Sequence, residues 1–455
     1  MKSIPLIFLC EVEKLDTNPK KTKRILVYPN ITYSKNYEQD SFVQVLMTMI
    51  SGLNEIRDDL YWYVILPCYV KNLDFENVKQ FHIPIPSHPP TMRVHFDTDA
   101  MKPLLNAKWD YDLIFSHLPE HTLNISNLIF NKSHHKPKIF GYSHWFDFEN
   151  IVTWEKHAFL YNISGLLEME FCYLNTNAQK KLVLEESKKY FNDDVITKLD
   201  NILRVHHPGI KSEDVVDTHK LNTDKVIVFN HRPWAYKNYD HFISLMKKLR
   251  EQRQDFTVWV PLLDKSNIDW ITCEKYDKQE YYKRLSECRI GFSPKQTYAG
   301  WSVSTTDGMM NGLPFIMYDS DYYHELFPFS DFFESDEEAL KLLNHYLDHD
   351  LCRNEMAKKQ LDYARTDLIY KDTLLRMSDD IDILMGDAKR VKSQDALGKI
   401  KNIIETEGTI TKAELIKKLN WGVNIAWNKY RNALLDDDKI YDIISDTPTY
   451  NYKSE

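Results

Sequence analysis

VIVFNHRPWAYKNYD, residues 226–240, reads as a buried strand that ends in a cationic loop and runs into a helix. Arg232 lies at the strand's end, and Lys237 follows five residues later, just before the helical pattern begins. In an open α/β sheet, ligands bind outside the carboxyl ends of the strands. Two cations placed there, beside helix N-termini, match a diphosphate, with Arg as a bidentate fork and Lys as a point charge. A solvated turn also contains Arg and Lys, so this segment does not decide the chemistry by itself.

A second segment, YAGWSVSTTDGMMNGLPFIMYD at 298–319, changes the balance. Gly300, Trp301, Ser302, Val303 and Ser304 lead into a helix whose first backbone N–H groups can hold a phosphate without side-chain charge. Asp307 is expected in the first turn, where a carboxylate can accept hydrogen bonds from both ribose hydroxyls. It could equally be a charge that complements the helix N-terminus. Gly312-Leu313-Pro314 closes the helix before another strand.

Working outward, short apolar runs alternate with helical patterns, the signature of β-α-β units and a parallel sheet. Strands are predicted at 24–28, 61–66, 113–116 and 138–142, and again at 225–230, 256–260, 290–292 and 314–318. The same alternation occurs twice around His207-Pro208-Gly209. It predicts two Rossmann-like domains, 1–207 and 208–386, the second closed by helices from 337 to about 385. Residues 387–455 read differently, as three helices (394–406, one capped by Thr411 with Glu414, and 423–435) followed by strands at 439–444 and 449–452. Helix, helix-turn-helix and hairpin is the winged-helix order.

Length and composition agree with several folded domains: 455 residues, 43% hydrophobic and 13% aromatic. Six scattered Cys with no C-x-x-C pair suit a reducing compartment. No apolar run approaches the roughly 20 residues of a membrane helix. The opening apolar stretch precedes acidic residues, not a cleavage site, so a cytoplasmic protein is expected. No G-x-x-x-x-G-K-[ST] or G-x-G-x-x-G is present, against kinases and dehydrogenases. The net charge of −9 is unevenly spread: residues 389–431 hold ten Lys or Arg against four Asp or Glu, a local +6 that leaves −15 for the rest.

Residues 206–326 resemble the retaining GT-B glycosyltransferases of family 4, typified by glycogen synthases and the sucrose- and trehalose-phosphate synthases. His207-Pro208-Gly209-Ile210 is similar to the family's entry to its second domain. Asn230-His231-Arg232 with Lys237-Asn238 is similar to its donor-phosphate pair, 288–294 to its following strand, and Asp307 to Pro314 to its ribose-binding helix. The resemblance implies a hexosyl- or pentosyltransferase using a UDP-sugar as donor substrate, with retention of configuration and with neither metal nor cofactor. It implies that Arg232 and Lys237 help the diphosphate depart. His144, in FGYSHWFDF at 140–148, would hydrogen-bond the sugar or stabilise charge across the cleft. His117, in FSHLPEH, and Asp147 would lie on the acceptor side. The family's Glu eight residues before the ribose carboxylate is Ala299 here, and residues 29–33 replace its Gly-Gly loop. These residues therefore speak for the nucleotide and leave the sugar open.

A winged module on such an enzyme points to nucleic acid as acceptor. Trp421, Asn424, Asn428, Lys429 and Arg431 on or beside the third helix could read a major groove in duplex DNA, with Lys389, Arg390, Lys392, Lys399 and Lys401 on phosphates. A DNA acceptor needs a hydroxyl on a base. By fold-level analogy this points to viral enzymes that glycosylate hydroxymethylated pyrimidines, active in the host cytoplasm. Two alternatives stay open: transfer to a cell-surface glycan or protein with the module as a docking platform, and a non-catalytic nucleotide-sugar- or DNA-binding protein on the same scaffold. Neither the sugar nor the oligomeric state is legible.

Overall fold

The computed structural model describes residues 23–29, 41–67, 77–83, 96, 98–99, 101, 111–133, 137–148, 158–296, 301–386, 393–411, 414–415, 440–443 and 449–452. The continuous apolar runs form strands covered on both faces, as parallel sheets require. Lys23–Tyr28 (β1) pairs on one side with Leu60–Pro67 (β2) and on the other with Leu113–Ser116 (β4). Val78–Ile83 (β3) extends the sheet beyond β2. Lys138–Ser143 (β5), Phe171–Leu174 (β6) and Leu203–Val205 (β7) extend it beyond β4. The order is β3-β2-β1-β4-β5-β6-β7, all parallel, which puts a topological switch point between β1 and β4. Ser41–Ile56 (α1) covers one face. Its buried stripe is Val43, Leu46, Met49, Ile50 and Leu53.

The second sheet repeats the plan. Val226–Val228 (β8), Thr257–Trp259 (β9), Ile271–Thr272 (β10), Ile290–Ser293 (β11), Phe315–Tyr318 (β12) and Asp331–Phe333 (β13) run in the order β10-β9-β8-β11-β12-β13, again parallel. Tyr239–Gln252 follows β8 as a helix that buries Phe242, Leu245, Met246 and Leu249. Val303–Met310 (α8) lies between β11 and β12. Both sheets are Rossmann-like, so the architecture is GT-B.

The chain crosses between the domains twice, and the crossings are tied together. Ile210 N–H donates to the Leu368 carbonyl at 2.8 Å, and Tyr370 N–H donates to the Ile210 carbonyl at 3.0 Å. Gly209 sits at φ +78°, and a Cβ there would lie 2.4 Å from Tyr370 Cα, so both conformation and contact require glycine. After the second crossing, Lys371–Met385 (α12) packs back onto the first sheet. Leu374, Met377, Ile381 and Leu384 join its core. Asp382 meets Lys23 and Arg57 at 2.7 Å each, and Asp380 meets Arg204 at 2.6 Å. Four buried apolar side chains, each contributing roughly 1.5–3 kcal/mol, hold this helix to the first domain. The helices closing the 208–386 stretch therefore do not all stay with the second sheet.

In the last stretch, Ser393–Glu407 (α13) leads through Gly408, at φ +73°, into Thr409–Thr411 (β14). Ile440–Ile443 (β15) and Thr449–Tyr452 (β16) form an antiparallel pair, and β14 adds to β16, giving β14-β16-β15. Glu414 N–H donates to Thr411 Oγ1 at 3.2 Å, and Thr411 N–H donates to Glu414 Oε2 at 3.0 Å, the reciprocal bonds of a capping box. The expected helix at 423–435 lies outside the described residues. Among the described residues no helix is long and apolar enough to cross a membrane.

Candidate functional site

The loop after β8 is built to present cations. Asn230 Nδ2 donates to the Ser304 carbonyl at 2.6 Å and to the Tyr281 hydroxyl at 3.0 Å, tying the loop to the start of α8. Lys237 N–H donates to the Trp234 carbonyl at 2.9 Å, a single tight turn that ends at Asn238 with φ +56°. Lys237 Nζ donates to Gln296 Oε1 at 2.6 Å, and Gln296 Nε2 to the Tyr323 hydroxyl at 2.6 Å. Burial, reinforced by the Arg232 charge nearby, pushes Lys237 down to about 8. Arg232 is half-buried, with its guanidinium 5.4 Å from the Trp234 ring. Among the described residues no carboxylate pairs with either cation, and two cations that repel one another in a partly desolvated loop could receive an anion.

Ser302 caps α8: its Oγ accepts from Thr305 N–H at 3.3 Å. Trp301 precedes the cap, and Val303 and Ser304 open the helix, so their N–H groups have no intrahelical carbonyl. Gly300 and Ala299 lie outside the described residues. Asp307 is not in the first turn, because the Ser302 cap starts the helix at Val303 and leaves Asp307 in the second turn. The helix dipole acts mainly on the first turn, so it does little for this carboxylate. Burial instead raises Asp307 to about 7, opposed by Lys278 and by the Tyr282 hydroxyl, which donates to Oδ1 at 3.4 Å.

Histidines line the first domain's side. His144 follows β5, half-buried, its ring stacked on Tyr142 at 4.4 Å. His144 Nδ1 and Asn175 Oδ1 hydrogen-bond at 3.1 Å, and the Asn175 carbonyl bonds His207 Nδ1 at 2.5 Å. The His207 ring in turn faces the Trp301 ring at 6.1 Å and 25°. A continuous path from β5 through the end of β6 thus links His144 to Trp301 at the lip of α8. Nothing in the sequence marks Asn175 beyond its place at a strand end. Burial lowers His144 to about 4 and lowers His207 as well, so both rings are neutral at pH 7.

His117 follows β4 and is 2% exposed, its ring edge-on to His144 at 6.0 Å. Neither ring nitrogen has a partner among the described residues. Asp147 is buried, with its backbone N–H donating to Asn162 Oδ1 at 2.9 Å and its Oδ1 accepting from Trp145 Nε1 at 3.2 Å. On the opposite lip, Glu325 accepts from Asn177 N–H and Asn177 Nδ2 at 2.8 Å each and from Ala178 N–H at 3.2 Å. It caps the helix Asn177–Ser187 from the other domain. Trp421, Asn424, Asn428, Lys429 and Arg431 lie outside the described residues. Among the described residues no group of three or more His, Cys, Asp or Glu could hold a metal ion.

No protein-family model matches the sequence, and no curated protein matches it. Solved structures do match in fold. HepE from Anabaena, in complex with UDP and glucose, aligns with a TM-score of 0.57 at 8% identity, covering 80% of this chain and 100% of its own. The trehalose-6-phosphate synthase OtsA aligns with a TM-score of 0.57 at 10% identity, covering 79% of this chain and 99% of its own. TarM matches at 14% identity over 60% of this chain, with a TM-score of 0.47, and the chain spans 54% of TarM's length. At these identities the likeness is one of architecture: the chain has the GT-B arrangement of two Rossmann-like domains.

Proposed function

We propose that the protein is a glycosyltransferase that moves a sugar from a UDP-sugar to an acceptor hydroxyl. The observation carrying this reading is that Asn230 ties the Arg232–Lys237 loop after β8 to the capped start of α8, and that Trp301, just before that cap, lies against His207, which shares Asn175 with His144. Preorganised donors and cations at a departing diphosphate stabilise the charge that develops there. The bond from the anomeric carbon to the diphosphate breaks as the acceptor oxygen bonds that carbon, and UDP leaves with the hydroxyl's proton. Arg232, Lys237 and the first amides of α8 would supply the charge stabilisation usually asked of a metal. Asp307 would hold the ribose, and His144 a sugar hydroxyl. His117 and Asp147 belong to the acceptor side of this scheme, and retention of configuration follows the family 4 resemblance. Complexes of HepE with UDP and glucose support a nucleotide-sugar donor on this fold.

For the acceptor we propose a hydroxymethylated pyrimidine in duplex DNA. The order β14-β16-β15 behind α13, together with the Thr411–Glu414 capping box, supports a winged-helix reading of residues 387–455. The chain is proposed to work in the cytoplasm. A screen of radiolabelled UDP-sugars against hydroxymethylcytosine DNA, hydroxymethyluracil DNA, glycans and proteins tests both steps. The expected result is label on modified DNA, lost on truncation at Gly386 and weakened steeply by salt. Label on a glycan or protein with no DNA binding refutes the DNA acceptor. Absence of any UDP-sugar turnover or binding refutes the enzyme.

A further inference from the structure

The cationic loop contains a buried histidine that the diphosphate scheme does not use. His231 is 1% exposed and sits between Lys237 and the end of β11. Its Nε2 lies 3.1 Å from Ser293 Oγ, Ser293 Oγ lies 3.3 Å from Thr305 Oγ1, and Thr305 Oγ1 lies 2.8 Å from Ser302 Oγ. The chain ends on the hydroxyl that caps α8. All four side chains are buried. A buried imidazole with hydroxyl partners only is costly unless every bond is made, and an apolar side chain would fill the same space without that cost.

The three elements joined this way are the three that surround the proposed diphosphate. The loop after β8 carries Arg232 and Lys237, the segment after β11 carries Gln296, which takes the Lys237 ammonium, and α8 offers its first amides. We infer that His231 is a positioning residue for the nucleotide, holding the cap of α8 in register with the Arg232–Lys237 loop through Ser293 and Thr305. This inference rests on the diphosphate reading of that N-terminus. Burial and the Lys237 ammonium keep the ring neutral, so its part is alignment and not charge. A neutral imidazole has one donor and one acceptor nitrogen, enough to end a hydroxyl chain. Misplacing a phosphate contact by about 1 Å is costly in binding and rate, which is what such a chain prevents.

The test is UDP binding by calorimetry and steady-state donor kinetics on the full chain. His231→Phe keeps a ring and removes the bond, Thr305→Val removes one hydroxyl with little change of shape, and Thr305→Ser and His231→Gln restore a bonding group. His231→Phe and Thr305→Val should each raise the Kd for UDP about tenfold, the equivalent of one buried hydrogen bond. They should raise the donor KM in step and lower kcat as well, because the same amides stabilise the departing diphosphate, and the double variant should be no worse than the weaker single one. Thr305→Ser and His231→Gln should bind within about threefold of the parent. Parent-like UDP binding by His231→Phe or by Thr305→Val, or effects that multiply in the double variant, overturns the relay alone if the parent binds UDP and Arg232→Ala binds it at least about tenfold more weakly. A parent that binds no UDP overturns the diphosphate reading and the relay with it.

Discussion

Replacing Asp307 by Asn should stabilise the empty protein and weaken its hold on the nucleotide. Folding moves this carboxyl into the second turn of α8, and burial raises it from the ordinary carboxylate range to about 7. A carboxyl with a raised folded pKa binds its proton more tightly in the folded state. Its favourable contribution is fully present below about pH 4 and is lost as pH rises to about 7, above which the folded state carries a constant penalty. Each tenfold change in proton affinity is about 1.4 kcal/mol, but Asp307 is only half-buried, and screening leaves about 1–2 kcal/mol. At pH 8, Asp307→Asn should therefore melt about 2–4 °C above the parent, and about half of that gain should remain at pH 5.5. UDP should reverse the order. Loss of a charged acceptor for ribose hydroxyls costs about 1.5–3 kcal/mol, or about 10- to 100-fold in Kd. Parent affinity should rise between pH 6 and pH 8 as Asp307 ionises, more steeply than in Asp307→Asn, which shares UDP's own titration. Scanning calorimetry and titration calorimetry at the two pH values supply both measurements. A variant that melts below the parent at pH 8 without UDP, or a parent whose pH dependence matches the variant's, refutes this account of Asp307.

Arg232→Ala and Lys237→Ala should each weaken UDP binding about 10- to 100-fold, the range of a charge-assisted contact, as read by titration calorimetry. Because Lys237 is lowered to about 8, parent affinity should also decline above that pH, and Lys237→Arg should abolish the decline. Gly209→Ala should destabilise the protein by more than about 2 kcal/mol in urea unfolding, since it combines a positive φ with a Cβ against Tyr370. Gly408→Ala, with the same sign of φ but nothing within 4 Å, should cost about 1 kcal/mol. Glu325→Ala should remove the cap that crosses the cleft, lower stability by about 1–2 kcal/mol and enlarge the radius of gyration in solution scattering.

The strands legible in the sequence are the interior ones. β1, β2, β4 and β5 of the first sheet, and β8, β9, β11 and β12 of the second, coincide with the apolar runs predicted as strands, and β6 is itself the apolar run FCYL. The four that escape sequence reading are β3, β7, β10 and β13, the two edges of each sheet. Edge strands are covered less, so VKQFHI, LRV, IT and DFF carry no continuous apolar signal. The site divides in the same way. Arg232 and Lys237 announce themselves because charge at strand ends is unusual, and Asp307 because it follows a run of small and hydroxyl residues, whereas Asn175 and the His231–Ser293–Thr305 chain depend on contacts between residues 12 to 62 positions apart. Nothing local shows that Ser302, and not a later hydroxyl, closes the cap, so the sequence leaves the turn that carries Asp307 undecided.

The two walls of the cleft differ in charge in a way that bears on the chemistry proposed for it. The second domain's wall carries Arg232, Lys237 and Asp307, groups that are charged or close to their ionisation point at neutral pH. The first domain's wall carries His117, His144 and His207, each lowered by burial and so uncharged. A neutral imidazole offers one donor and one acceptor, which suits hydroxyls and not phosphates. His117 is the sharper case, because both of its nitrogens are buried without partners among the described residues. Leaving them so costs about 1–3 kcal/mol per group, a penalty that a hydroxyl entering the cleft would relieve. Such a division suits the proposed transfer of a sugar, in which charge departs with the diphosphate on one wall while an uncharged ring is passed to a hydroxyl on the other.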